Sequence, residues 1–284
     1  MSQEIIITKE QLERLGRLME EQSNGIRAYS FDWDDNILKM PTKIKMLKMT
    51  DSGWVPTDVG TEEFALVRDS EDYKLDNGAF DNFIEEGAFL TDLEKALNSG
   101  SFAPSFDKFK EALIYANPIS IITARGHNPR ALRKGMDLVI SHTFNEDELG
   151  RMIDNIKQTY PELDGQEPEM VLKTYLDSHE YHPVTSKIFT DKFGLESGSA
   201  TNPEENKKIA LRDYVTNIVA KASSMVNLGN EKLSVGFSDD DLGNINAIIP
   251  FIKEVLQVEF PDVDFIVYDT SEGGMNKIVL KQVT

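Results

Sequence analysis

The chain has no cysteine among its 284 residues, which excludes disulfides, thiolate metal sites and cysteine nucleophiles. It also lacks any apolar run of about 18 residues, the length needed to cross a bilayer, so no membrane partner is expected. The opening "MSQEIIITKEQ" does not have the basic, apolar and small-residue order of a signal peptide, and the expectation is a cytoplasmic protein. Positive charge is scarce: 30 Lys and Arg stand against 49 Asp and Glu, a formal charge of −19. That charge serves solubility, and it also repels a phosphate backbone. With no basic stripe along the chain, no nucleic-acid partner is expected. An anionic substrate would need a metal ion and a few placed cations to hold it.

What is present is a 40 % hydrophobic chain, enough for a packed core. Residues 8–21 carry Leu12, Leu15 and Leu18 at helical spacing, with Thr8 and Gln11 placed like a capping box, and predict a leading helix. Short apolar runs predict buried strands at 26–31, 118–122, 187–189, 233–237 and 265–268. Helical patterns separate most of them: Ser105 to Ala116, a helix opened by Asn128 and Pro129, residues 204–221, and a stripe from Ile245 to Leu256 in which Pro250 marks a kink or the true start. Strands alternating with helices predict an α/β fold, a doubly wound parallel sheet covered on both faces in three layers.

Two stretches break the alternation and are expected as insertions. Residues 39–104 contain a β-hairpin pattern, "TKIKMLKMT", a turn at Asp51 to Gly53 and "WVPTDV", with "EFALV" as a further strand. Residues 142–185 read as helical and acidic. The core is then assigned to 1–38, 105–141 and 186–284.

Ligands of open α/β sheets bind beyond the carboxyl ends of the strands. Asp32, Asp34, Asp35 and Asn36 follow the first predicted strand, Thr123 and Arg125 follow the second, and Ser238, Asp239, Asp240 and Asp241 follow the fourth. An Asp-Asp pair by itself is commonly a solvated turn or a helix N-cap. Two such clusters on one sheet edge would repel each other without a counter-charge, and a hard divalent cation with oxygen ligands supplies it.

"FDWDDNIL" resembles the first motif of haloacid dehalogenase-like hydrolases, an apolar strand followed by Asp-x-Asp-x-Thr/Val, with Asn36 where Thr or Val is usual. "ISIITARG" is similar to the second motif, ending at Thr123. "VGFSDDDLGNI" resembles the paired-Asp form of the fourth, with Asn244 five residues after Asp239. The third motif, a lysine near a helix start, is best matched by Lys207, and Lys208 is the runner-up. The spacings are 91, 84 and 32 residues from Asp32 through Thr123 and Lys207 to Asp239.

The resemblance covers the core and implies a Rossmann-like fold with inserted caps that choose the substrate. It implies a phosphatase of a small phosphorylated substrate: Asp32 as nucleophile forming an aspartyl-phosphate, and Asp34 as general acid and then base. Thr123 and Lys207 would hold the phosphoryl oxygens, and Mg²⁺ would be bound by Asp32, Asp239, Asp240 and the backbone carbonyl of Asp34. Asp at position 34 favours phosphate chemistry over carbon–halogen cleavage. The same aspartates would serve a phosphotransferase or phosphomutase, and a non-catalytic binding protein of this fold is a third reading. Arg125 and His127 are candidates for touching a phosphate or leaving group, with loop salt bridging as the alternative. Trp33 and Trp54 are expected to pack more often than to stack on a substrate. "HEYH" at 179–182 has a spacing that suits a metal on a helix face, but no paired acid or apolar helix is apparent around it. "SEGGMNK" reads as a turn.

Overall fold

The computed structural model describes residues 25–195, 202–224 and 232–280. The leading helix expected at 8–21 lies outside the described residues. Six strands form a central sheet in the order β6-β5-β1-β7-β8-β9. These are β1 (Gly25–Phe31), β5 (Ile119–Thr123), β6 (Glu180–Pro183), β7 (Lys232–Asp239), β8 (Val263–Asp269) and β9 (Asn276–Leu280). All neighbours pair in parallel except β9, which runs antiparallel to β8. The fold is therefore α/β, a mostly parallel, Rossmann-like sheet flanked by helices.

Side chains alternate across a strand, so β1 feeds both faces. Tyr29 and Phe31 enter one core with Phe109, Met136, Met152 and Tyr175. Ala28 enters the other with Leu211, Val215, Val235 and Ile248. The predicted helices form where their signals stood. Asn128 accepts from the backbone N–H of Arg130 and Pro129 occupies the first turn of the helix Pro129–Thr143. The helix Pro203–Ser224 covers the second face.

Two expectations are corrected, and of the two readings of Pro250 the helix start is ruled out. Residues 187–189 are not a strand but part of the helix Lys187–Phe193. Ser186 accepts from the N–H of Phe189, and Gly194, at φ 65°, takes the left-handed conformation that closes the helix. The strand in that stretch is β6, a polar, four-residue segment at the sheet edge, with Pro183 at its last position where a missing N–H costs least. "EFALV" lies in the helix Thr61–Val67, with Glu62 and Glu63 in its first turn. Pro250 is inside the helix Leu242–Phe251, which starts at the Asp241 cap, and a wide π turn over Ile252–Leu256 follows it.

The hairpin at 44–59 is present: β2 (Ile44–Thr50) pairs antiparallel with β3 (Gly53–Val59), and β4 (Tyr73–Leu75) completes a separate three-stranded sheet. Ile44, Met46, Val59, Ala79 and Phe83 give it a small core of its own. The helices Glu146–Thr159 and Pro168–Asp177, expected as a second insertion, pack Met152, Ile156, Val171 and Leu176 into the first core of the central sheet, and that stretch ends in β6. Ile156 is fully buried there. Ile156→Ala should lower the urea midpoint of a single unfolding transition by an amount equivalent to ~2–5 kcal/mol; two separate transitions would mark 146–177 as an independent lobe instead.

Candidate functional site

Asp32 follows the last residue of β1, and its N–H donates to the carbonyl of Ser238 at the end of β7 (2.9 Å). The two acid clusters expected from the sequence are therefore neighbours. Lys207, in the first turns of the helix Pro203–Ser224, brings them together. Its Nζ donates to Asp32 Oδ1 at 2.9 Å and to Asp239 Oδ2 at 2.7 Å. All three residues are buried. Lys208 instead pairs with Glu205 on the outside of the helix, so Lys207 is the lysine that reaches the acids.

The remaining oxygen of Asp239 accepts from Asn244 Nδ2 at 2.9 Å and from the backbone N–H of Asp241 at 3.0 Å. Burial disfavours the charge on Lys207, but Asp239 and Asp32 outweigh it and hold its pKa above the usual lysine value. Burial raises the Asp32 pKa well above the usual carboxylate value; Lys207 opposes this, and Asp239 and Asp34 add to it. Burial followed by repulsion from Asp32 and Asp239 also raises Asp240. Two buried cations, Lys207 and Arg125, thus serve an edge that carries Asp32, Asp34, Asp35, Asp239 and Asp240.

Arg125 is fully buried and directs its guanidinium at Asp34. Nε donates to Asp34 Oδ2 at 2.8 Å and Nη2 to Oδ1 at 2.6 Å, a two-toothed fork. Nη2 also reaches Thr42 Oγ1 at 2.9 Å, and Thr42 donates to Asp92 at 2.9 Å. Phe83 and Phe89 lie on the guanidinium, with ring centroids 4.9 and 5.0 Å from its carbon. Arg125 was expected as a phosphate contact or a loop ion pair, and its placed partner is the carboxylate. Thr123, at the end of β5, is buried and accepts from the N–H of Arg125 at 3.3 Å.

Asn36 is buried at the centre of a polar hub. Asp35, at φ 55°, turns the chain through a left-handed conformation that Asp tolerates. The Asn36 side chain then donates to the carbonyls of Asp32 (3.1 Å) and Ser238 (3.2 Å). Its oxygen lies within hydrogen-bond reach of the hydroxyls of Ser105, Ser238 and Thr270 at 2.9, 2.9 and 3.0 Å; Ser105 and Ser238 also reach each other, and Thr270 reaches the Asp239 carbonyl. One buried amide thus ties the loops after β1 and β8 and the end of β7 to the cap of the helix Phe106–Ile114. This hub and the reach of Thr42 and Thr61 into the site were not legible: nothing in a linear sequence pairs Asn36 with residues as far away as Thr270. Thr61 donates to Asp35 from the start of its helix.

The other candidate side chains pack away from the acids. Trp33 is buried against Phe89, and Trp54 lies on the hairpin under Lys74, 4.2 Å from its ring centroid. Ser271–Gly274 form a turn into β9.

The donors of Asp32, Asp239, Asp240 and the Asp34 carbonyl are all hard oxygens and fit Mg²⁺, as does the excess of negative charge. In this arrangement Lys207 bridges two of them, and the carboxylates do not gather three oxygens within 4.8 Å. Among the described residues, the set that does is Glu180, His182 and Asp213. No protein-family model matches the chain, and searches of curated proteins and of solved structures return no match either.

Two outcomes follow. Asn36→Leu should destabilise by about 1–3 kcal/mol in urea unfolding, because one of the Ser105 and Ser238 hydroxyls loses its buried acceptor while Thr270 keeps the Asp239 carbonyl; an unchanged midpoint would remove the hub. His127 packs on Phe89, and its pKa is lowered to about 4 by burial first and Arg125 second. His179, buried beside Tyr175, is lowered to about 3 by burial, then by Arg133 and Lys221. Both are neutral when folded and protonate on unfolding, so below about pH 6.5 these two groups bind more protons in the unfolded state and their contribution to stability falls as the pH drops. The raised carboxyls of Asp32, Asp35 and Asp240 act in the opposite sense, since they hold protons in the folded state, so the histidine contribution is read by difference: between about pH 7 and pH 5, melting curves should show His127→Leu gaining stability relative to the unsubstituted chain by roughly 2 kcal/mol at most.

Proposed function

We propose that this chain is a magnesium-dependent phosphomonoesterase of the haloacid dehalogenase-like class, with Asp32 as its nucleophile. The observation that carries the reading is the Lys207 ammonium shared between Asp32 and Asp239 at the carboxyl ends of adjacent parallel strands. The motif order agrees with it, as does the convergence of Thr123 and Asp34 on the same edge. The hairpin lobe supports a capping role, since Thr42, Thr61 and Phe83 contact Arg125 or Asp35.

In the proposed reaction an Asp32 oxygen attacks phosphorus. The new O–P bond forms as the bond to the ester oxygen breaks, and that oxygen takes a proton from Asp34. Water then attacks phosphorus, giving its proton to Asp34 as the Asp32–phosphorus bond breaks, which regenerates both aspartates. Lys207 neutralises Asp32 and, with Thr123, holds the non-reacting phosphoryl oxygens. Magnesium, when bound by Asp32, Asp239, Asp240 and the Asp34 carbonyl, supplies positive charge to the phosphoryl group. Both oxygens of Asp34 accept from Arg125, so proton transfer requires one tooth of that fork to open.

The Arg125 fork is also the observation that favours a second reading, a binding protein of the same fold in which Asp34 is a structural anion. Hydrolysis of p-nitrophenyl phosphate separates the two. Magnesium-dependent turnover is expected, lost with EDTA and reduced ~10³-fold or more in Asp32→Asn. Undiminished turnover in that variant rejects the nucleophile assignment, and no turnover on a panel of sugar, nucleotide and amino-acid phosphates favours the binding protein. Added alcohols or sugars that capture the phosphoryl group would identify a transferase.

A further inference from the structure

We propose that Glu180, His182 and Asp213 form a second metal site, for a divalent transition-metal ion of the zinc class, that fastens the edge strand β6 to the helix Pro203–Ser224. The site is built from different elements than the acid edge around Asp32 and does not depend on the reaction proposed there. Glu180 and His182 are two residues apart on β6 and so point to the same side of the sheet. Asp213 and Asn217 are one turn apart on the helix that covers that side. One ligand atom from each of Glu180, His182 and Asp213 lies within 4.8 Å of the other two.

The group is ordered before any ion is considered. His182 is buried, its Nε2 stands 3.0 Å from Glu180 Oε2, and its ring meets Phe189 edge-on at 6.0 Å. The other Glu180 oxygen accepts from Asn217 Nδ2 at 3.1 Å. An imidazole nitrogen with two carboxylate oxygens suits Zn²⁺ or Co²⁺, whereas Mg²⁺ takes oxygen ligands almost exclusively. Glu180 and His182 also line a cavity of about 330 Å³ with Pro129, Lys192 and Asn217, which leaves room for water to complete the coordination. Lys192 places its Nζ 2.7 Å from Asp213 Oδ2, and its side chain is 53 % exposed. That ammonium is a single positive charge where the proposed ion would sit, on a stem free to swing into solvent. The "HEYH" spacing noted in the sequence contributes His182 on a strand rather than a histidine pair on a helix; His179 is buried against Tyr175 instead.

Metal-stripped full-length protein titrated with Co²⁺ should develop a visible absorption band at about one equivalent. Zn²⁺ should displace it and raise the melting temperature, and excess Mg²⁺ should leave it unchanged. His182→Gln and Asp213→Asn should each weaken binding roughly tenfold or more; Asp213 lies at the rim, so its variant stays informative should His182→Gln fold poorly. Lys192→Met should tighten binding by removing the competing charge. Asp32→Asn should bind Co²⁺ as the unsubstituted chain does. Absence of saturable binding, an affinity unchanged from the unsubstituted chain in both ligand variants, or loss of binding in Asp32→Asn would overturn the site.

Discussion

One ammonium between two buried carboxylates makes the acidic edge possible. Asp32 and Asp239 come from strands paired in register, so the sheet itself forces them together, and neither could stay charged away from water without a partner. Lys207 reaches them from a helix whose apolar side, with Leu211, Val215 and Ile218, is sunk in the second core. Packing thus fixes the cation, and the cation allows the acids. The same logic repeats beside it, where Arg125 compensates Asp34.

The two compensations differ in kind. Lys207 is a point charge shared by two acids, and a point charge can be joined or partly replaced by another cation with little change of shape. Arg125 is a planar fork fixed on both oxygens and held between two aromatic rings, so it constrains direction as well as charge. In the proposed chemistry this separates a nucleophile that must remain reachable from a proton carrier that must remain aimed. Asn36 underlies both: its amide fixes the turn through which Asp32, Asp34 and Asp35 take their separate directions.

Much of this was legible in the sequence because it is local. A strand followed by an acid cluster announces itself within ten residues, and so does the Asn128–Pro129 helix start. The convergence of Asp32 with Asp239 on one edge followed from both ending strands of a parallel sheet, while the adjacency of those two strands is known only from the fold. The errors arose where a short window held competing signals. "KIF" is apolar enough for a strand, but the Ser186 cap before it and Gly194 after it define a helix. β6 was missed because an edge strand has no need to be apolar, and Glu180 and His182 look like loop residues. The β9 strand escaped for the same reason, being largely exposed at the opposite edge. Long-range polar pairing, such as Asn36 with Thr270 or Arg125 with Asp34, has no sequence period and could not be read at all.

The stacking of Phe83 on Arg125 joins two bodies that otherwise have separate cores. Phe83 belongs to the small core of the hairpin lobe and Arg125 to the loop after β5. Raising the lobe would uncover one aromatic face of the guanidinium and wet the fork, so the orientation of Asp34 is mechanically geared to the lobe's position.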